Sequence, residues 1–132
     1  MRGMVWDGSL ALGHAEIDRQ HEKLVGLINR LAAAWDAPDR EAAVMRAITD
    51  MYLYANEHFR EEEALMAATG YPGLAGHVLM HRDFVERAHA FADASLADRE
   101  PFEELLEYLV SWLEKHIRRD DARIARHMAG LG

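Results

Sequence analysis

The chain has no cysteine. Disulfides, thiolate zinc sites and iron–sulfur clusters are therefore excluded. Only 3 prolines and 9 glycines interrupt the 132 residues. There is no low-complexity stretch and no internal repeat, so the composition is that of a folded protein. No apolar run approaches the ~20 residues of a bilayer-spanning helix, which argues against membrane insertion. Excess positive charge is also missing: 15 basic residues against 23 acidic ones give a net charge of −8. That balance argues against nucleic acid and against anionic membrane surfaces as partners. The first residues, Met1 to Leu10, hold no signal-peptide core, and the expected location is cytoplasmic.

What is present is apolar patterning. Half of the residues are hydrophobic, enough for one domain over residues 1–132 with a real core. Four segments carry a helical stripe, with apolar positions stepping by four and three. The first, about 16–35, reads Ile17, His21, Leu24, Ile28, Leu31, Trp35. Ala37-Pro38-Asp39 breaks it, and Asp39 can cap the next helix. The second, about 40–68, reads Val44, Ile48, Met51, Ala55, His58, Glu62, Leu65. Gly70 suits a left-handed cap there, and Pro72 bars continuation. The third, about 74–92, reads Leu74, His77, His81, Phe84, Ala88, Phe91. The fourth, about 101–128, opens on Pro101, a good first helical residue, and reads Phe102, Leu105, Leu109, Trp112, His116. Short connections make neighbours antiparallel. The expected fold is an all-α, up-down-up-down four-helix bundle with an N-terminal arm, residues 1–15, anchored by Trp6 and Leu10.

The stripes are not purely apolar. His21, His58 with Glu62, His77 with His81, and His116 with Asp120 or Asp121 all fall on them. Burying such groups unpartnered costs several kcal/mol each, and a bound cation removes that penalty. Residues four apart share a helix face, so His77 and His81 can hold one metal together, as can His58 and Glu62. Measured from a common end, His21, Glu62 and His77 lie about four to seven residues deep, but His116 lies about thirteen. The fourth helix must therefore overhang the bundle by a turn or more. A single histidine on such a stripe is more often a hydrogen-bonded core residue. One such feature on every helix favours a metal site instead. His14, His89 and His127 have no partner on a stripe and read as surface or arm residues.

The candidate ligands are too many for one ion. Imidazole with carboxylate suits iron, zinc, copper or nickel. The third helix reads His77-Val78-Leu79-Met80-His81, without the glutamate that a zinc protease needs as base. Ferritin-like di-iron proteins use Glu-x-x-His pairs and about four carboxylates, which this chain lacks.

At these residues the chain resembles the hemerythrins, in particular the single-domain bacterial form. The resemblance is carried by Ile17-Asp18-Arg19-Gln20-His21, by His58-Phe59-Arg60-Glu61-Glu62-Glu63-Ala64-Leu65-Met66, by His77 to His81 and by Trp112-Leu113-Glu114-Lys115-His116-Ile117. Trp6 matches the family's N-terminal tryptophan. The resemblance implies two iron ions joined by an oxo or hydroxo bridge. His77, His81 and His116 would hold one ion, and His21 and His58 the other. Glu62 and an aspartate of the fourth helix would bridge them. Counting bonds to two six-coordinate ions leaves one position open, on the ion with two histidines, where dioxygen would bind. Leu24, Phe59, Trp112, Leu113 and Ile117 would line a dry pocket around it.

Helical geometry favours Asp120 as the bridge, four residues after His116. The family pattern has a histidine followed by an aspartate five residues later, which selects Asp121. A five-residue step needs reach across two metals or a local π-type widening. The reading adopted is Asp121 as bridge and Asp120 as a solvated neighbour. The expected function is reversible dioxygen binding for storage, delivery or sensing, with a redox or O2-consuming protein as partner. The alternatives are a di-iron enzyme reducing O2, peroxide or nitric oxide, and a metal-free interaction module. The apolar lining, without a general acid or base, favours binding over turnover.

Overall fold

A computed structural model describes residues 4–95 and 98–131. Its helices are α1 (Ala15–Ala34), α2 (Arg40–Ala68), α3 (Leu74–Ser95), α4 (Arg99–Lys115) and α5 (Ala122–Leu131), and a six-residue π-helical turn, His116–Asp121, joins α4 to α5. α4, the π turn and α5 together form the fourth rod of an all-α four-helix bundle. Each rod packs on the next, and α4 closes the ring against α1. No helix among the described residues is long and apolar enough to cross a membrane.

Local chemistry sets the helix ends. At the start of α1, the Nδ1 of His14 accepts a hydrogen bond from the Ile17 amide at 3.3 Å. His14 is thus a helix cap, a role its place in the sequence did not announce. The Asp18 carboxylate accepts from the amides of Leu12 (2.8 Å) and Gly13 (3.2 Å), which turns the arm onto the bundle. Leu10 is buried as expected, but Trp6 is only half-buried, and Met4 is the second deep anchor. Asn29 fixes Met4 by two hydrogen bonds of 2.6 Å, one to its amide and one to its carbonyl.

Asp39 precedes α2, but its side chain makes no cap. Its carboxylate pairs with Arg46 at 2.9 Å instead. α2 ends in a Schellman motif: the Tyr71 amide reaches the Met66 carbonyl (2.9 Å), the Gly70 amide reaches Ala67 (3.3 Å), and Gly70 has φ +67°. Glycine tolerates that backbone without strain. α4 begins two residues before Pro101, which therefore sits third rather than first. That position is still within the first turn, where a missing N–H costs no intrahelical bond.

The end of the bundle where α1 stops and α4 starts is apolar. Trp35 stacks on Phe102 at 4.8 Å, and Leu31, Val44, Phe102 and Leu105 are fully or almost fully buried there. At the other end, α5 runs past its neighbours. His127 on α5 donates from Nε2 to the Thr69 carbonyl at 2.8 Å and packs on Tyr71. The expected overhang exists, and it latches the connection between α2 and α3.

Candidate metal centre

Seven polar side chains are sealed into the end of the bundle beneath this latch. They are His21 (0% exposed) from α1, His58 and Glu62 from α2, His77 and His81 from α3, and His116 and Asp121 from the π turn, none more than 4% exposed. All seven sequence-derived candidates thus converge. Their ligating atoms form two groups, Glu62 with His77, His81 and His116, and Glu62 with His21, His58 and Asp121, with all atoms in each group within 4.8 Å of one another.

The two carboxylates each face both groups. Glu62 Oε1 lies 2.7 Å from His77 Nε2, 3.1 Å from His81 Nε2 and 3.6 Å from His116 Nε2. Its other oxygen, Oε2, lies 3.3 Å from His58 Nε2 and 3.8 Å from His21 Nε2. Asp121 is divided in the same way. Oδ1 lies 3.1 Å from His116 Nε2 and 3.2 Å from His77 Nε2, and Oδ2 lies 2.8 Å from His21 Nε2.

The π turn makes this possible for Asp121. In a regular α-helix, a residue five positions after His116 points about 140° away from it. The wider turn brings position 121 back beneath the ring, and Asp121 is 1% exposed. Asp120 is not a solvated neighbour. Its Oδ2 lies 3.3 Å from the outer nitrogen, Nδ1, of the same imidazole, and its side chain is 15% exposed. The two successive aspartates therefore face opposite sides of His116.

Two more outer nitrogens are held. His81 Nδ1 donates to Glu63 Oε2 at 2.8 Å. His58 Nδ1 donates to Gln20 Oε1 at 2.6 Å. The amide nitrogen of Gln20 donates to Glu16 Oε1 at 3.1 Å and to Glu61. Those carboxylates fix the amide with its oxygen toward His58. Each bond puts the proton on Nδ1 and leaves Nε2 bare toward the centre, which is the tautomer a metal ligand needs. Sequence reasoning missed Gln20 and Glu63. Gln20 reads as an ordinary neighbour of His21, and Glu63 is lost in the run Glu61-Glu62-Glu63.

The imidazoles and carboxylates of the centre hold one another charged. Burial pulls the imidazole of His21 down, but the facing carboxylates of Asp121 and Glu62 outweigh it and raise it to about 9. His77 rises to about 9 by the same opposition, and His116 is held well above its usual value. Burial pushes Glu62 and Asp121 up, but the surrounding imidazoles hold both below the ordinary carboxylate range. Even so, His21 Nε2, His58 Nε2, Glu62 Oε2 and both oxygens of Asp121 are buried without a well-formed hydrogen bond. Buried polar atoms are rarely left so. Lone pairs that converge on a shared interior space can be satisfied only by protons held on the imidazoles or by cations in their place. Cations satisfy them, and imidazole with carboxylate is a donor set that iron accepts.

An apolar cavity of about 10 Å³ adjoins the centre, lined by Leu24, Ile28, Met51, Ala55, Phe59, Phe84, Leu109, Trp112 and Leu113. That is close to the space one water-sized probe occupies. Phe59 stacks on His81 at 4.0 Å, and Trp112 stacks on His116 at 4.3 Å, so two walls of the cavity are also walls of the centre. Leu24, Phe59, Trp112 and Leu113 were expected in such a lining. Ile117 is fully buried but is not part of this cavity.

A helical bundle with a buried, histidine-rich centre for cations defines a class of metal-binding proteins, and comparison with known proteins gives the family. Residues 12–127 match the hemerythrin HHE cation binding domain. The chain is 35% identical to a bacteriohemerythrin of Stenotrophomonas maltophilia over 122 residues, covering 92% of this chain and 79% of that protein. It is 31% identical to a bacteriohemerythrin of Clostridium acetobutylicum, covering 89% of this chain and 95% of that one. A hemerythrin-like protein of Naegleria gruberi is 30% identical over 118 residues. The chain belongs to the hemerythrin family.

Proposed function

We propose that this protein binds dioxygen reversibly at a di-iron centre, for storage, delivery or sensing. His77, His81 and His116 would hold one iron, His21 and His58 the other, and Glu62 and Asp121 would bridge them, with an oxo or hydroxo group between. The observation that carries this reading is the division of both carboxylates, each with one oxygen toward each histidine group. A single-ion site gives no reason for that arrangement. When bound, such a pair supplies reducing electrons and an open coordination position for a small ligand.

The protein's own contribution is selection and exclusion. The apolar cavity is small enough to favour a diatomic over a larger substrate. No polar side chain lines it. Phe59 and Trp112 stack on His81 and His116, so water in the cavity reaches those imidazoles only by displacing close-packed side chains. No general acid or base stands in the cavity wall, and this supports binding over turnover. Gln20, Glu63 and Asp120 hold three imidazoles in the ligating tautomer.

The test is optical. The anaerobically reconstituted protein is mixed with O2 and then evacuated. A charge-transfer band that appears with O2 and disappears under vacuum through repeated cycles is the expected result. Rapid, irreversible conversion to the di-ferric form with consumption of a reductant would replace this reading with that of a di-iron enzyme.

A further inference from the structure

The outer face of the fourth rod carries a second organised group of charges. Lys115, Arg118, Arg119, Arg123 and Arg126 line an open depression with Ser111 and Glu114. All five cations are exposed. Cations suit the C-terminus of a helix, but α5 runs on to Leu131. The dipole acts on cations only within the last turn.

Ion pairing does not explain them either. Elsewhere Arg19, Arg30, Arg46, Arg87 and Arg99 each hold a carboxylate within 3.0 Å, and the exposed arginines without an ion pair there among the described residues, such as Arg60 and Arg82, are not gathered with other unpaired cations on one helix. Among the described residues, no ion pair holds Lys115, Arg119, Arg123 or Arg126, while Arg118 meets Glu114 at 3.8 Å. The two acids within the π turn, Asp120 and Asp121, are turned inward to His116. The π turn thus sorts charge, with acids inside and cations outside. Lys115, Arg119 and Arg123 follow at intervals of four, where like charges repel, and Glu114 is the single acid among the five cations that line the depression.

We propose that this stripe docks an acidic protein surface, one presenting a row of carboxylates such as the acidic face of a helix. From Lys115 to Arg126 the cations are strung along about 16 Å of helix axis. They do not converge on a point, so a single phosphate would meet one or two of them. No exposed apolar side chain lines the depression, so nothing inserts into a bilayer. The chain's net charge of −8 opposes dense polyphosphate or lipid anions. An acidic protein face is more local, and an encounter of this kind is weak, fast and sensitive to salt. The docking stands on the surface alone. Its use to the buried centre, by bringing a partner beside His116, rests on the dioxygen reading.

The test titrates the full chain, metal-free and iron-loaded, with poly-L-glutamate, pyrophosphate or phosphatidylglycerol vesicles, and follows amide resonances by NMR. Poly-L-glutamate should shift residues 115–126 at low ionic strength. The double variant Arg119→Glu/Arg123→Glu should weaken that binding about tenfold or more, and the equally charged control Arg30→Glu/Arg87→Glu by less than about twofold. Neutral Lys115→Gln/Arg126→Gln should fall between them and serves if the reversal variant loses its helical signal. Equal weakening by stripe and control variants, binding of vesicles or pyrophosphate without poly-L-glutamate, or no binding at low salt each overturns the proposal. The dioxygen band of the iron-loaded variants, read separately, should be unchanged. Its absence would count against the dioxygen reading and not against the docking.

Discussion

The two ends of this bundle follow opposite rules. At one end Trp35, Phe102, Leu31 and Leu105 fill the space between helices with apolar surface. At the other, the same helices bury imidazoles and carboxylates at the same depth. The first end is stabilised by packing. The second leaves buried polar atoms unsatisfied, a cost that the first helps the fold to bear. Stability and function are thus separated along one axis, and each end can be perturbed without rewriting the other.

The largest expected effect separates the ends by metal content. Glu62→Gln removes a charge facing both histidine groups and should lower iron affinity by more than about 100-fold, beyond what loss of an outer partner does. Phe102→Ala should leave iron affinity unchanged and cost about 3–5 kcal/mol in urea unfolding. Iron analysis after anaerobic reconstitution, paired with chemical denaturation, reads both. If Phe102→Ala emptied the site, or Glu62→Gln left it full, the separation would be wrong.

A smaller effect is expected just outside the centre. Glu63→Gln and Gln20→Leu leave every candidate ligand in place but loosen His81 and His58. Each should lower iron affinity by roughly 10-fold or more while the helical signal is kept. Unchanged affinity would show that the hydrogen bonds of Gln20 and Glu63 do not hold the ligands in place.

Between pH 6.5 and pH 9, acidity should act in opposite directions on the stability of the metal-free fold and on iron binding. In the metal-free chain His21 and His77 titrate near 9 rather than 6.5. Their protonated forms therefore stabilise the fold fully below about pH 6.5, and that contribution is lost as pH rises through 9. Glu62 and Asp121 are lowered, so their contribution is present above the ordinary carboxylate range and is lost on acidification. The Tm of the metal-free protein should fall between pH 6.5 and pH 9. Iron binding should strengthen over the same interval, because imidazoles ligate when neutral. A metal-free Tm that rose with pH would contradict this account.

The smallest effect lies in the latch. His127→Ala removes one hydrogen bond to Thr69 and should cost about 1 kcal/mol. It should also speed amide exchange near Gly70 without altering iron content.

Much of this was legible in the sequence because periodicity reports on faces. The spacing of His58 with Glu62, and of His77 with His81, is enough to put them on the inner face. The four helices followed from the same pattern. What was hidden depended on side-chain direction at helix ends and outer faces. His14 gave no sign of being a cap, and Asp39 looked like one but was drawn off by Arg46. Gln20 and Glu63 point sideways from the inner face, where a period of three and four says nothing. Helical spacing favoured Asp120 and the family pattern Asp121; the departure from regular winding, which no period shows, places Asp121 beneath His116 and Asp120 at its outer nitrogen.

The π turn holds one residue more than a regular helix would need between His116 and Ile124. The surplus keeps α4 and α5 in phase while letting adjacent carboxylates stand before and behind a single imidazole. A chain shortened by one residue at Arg118 or Arg119 would rewind to ordinary pitch with its apolar register intact. It would then have room for an aspartate in front of that ring, and none behind it.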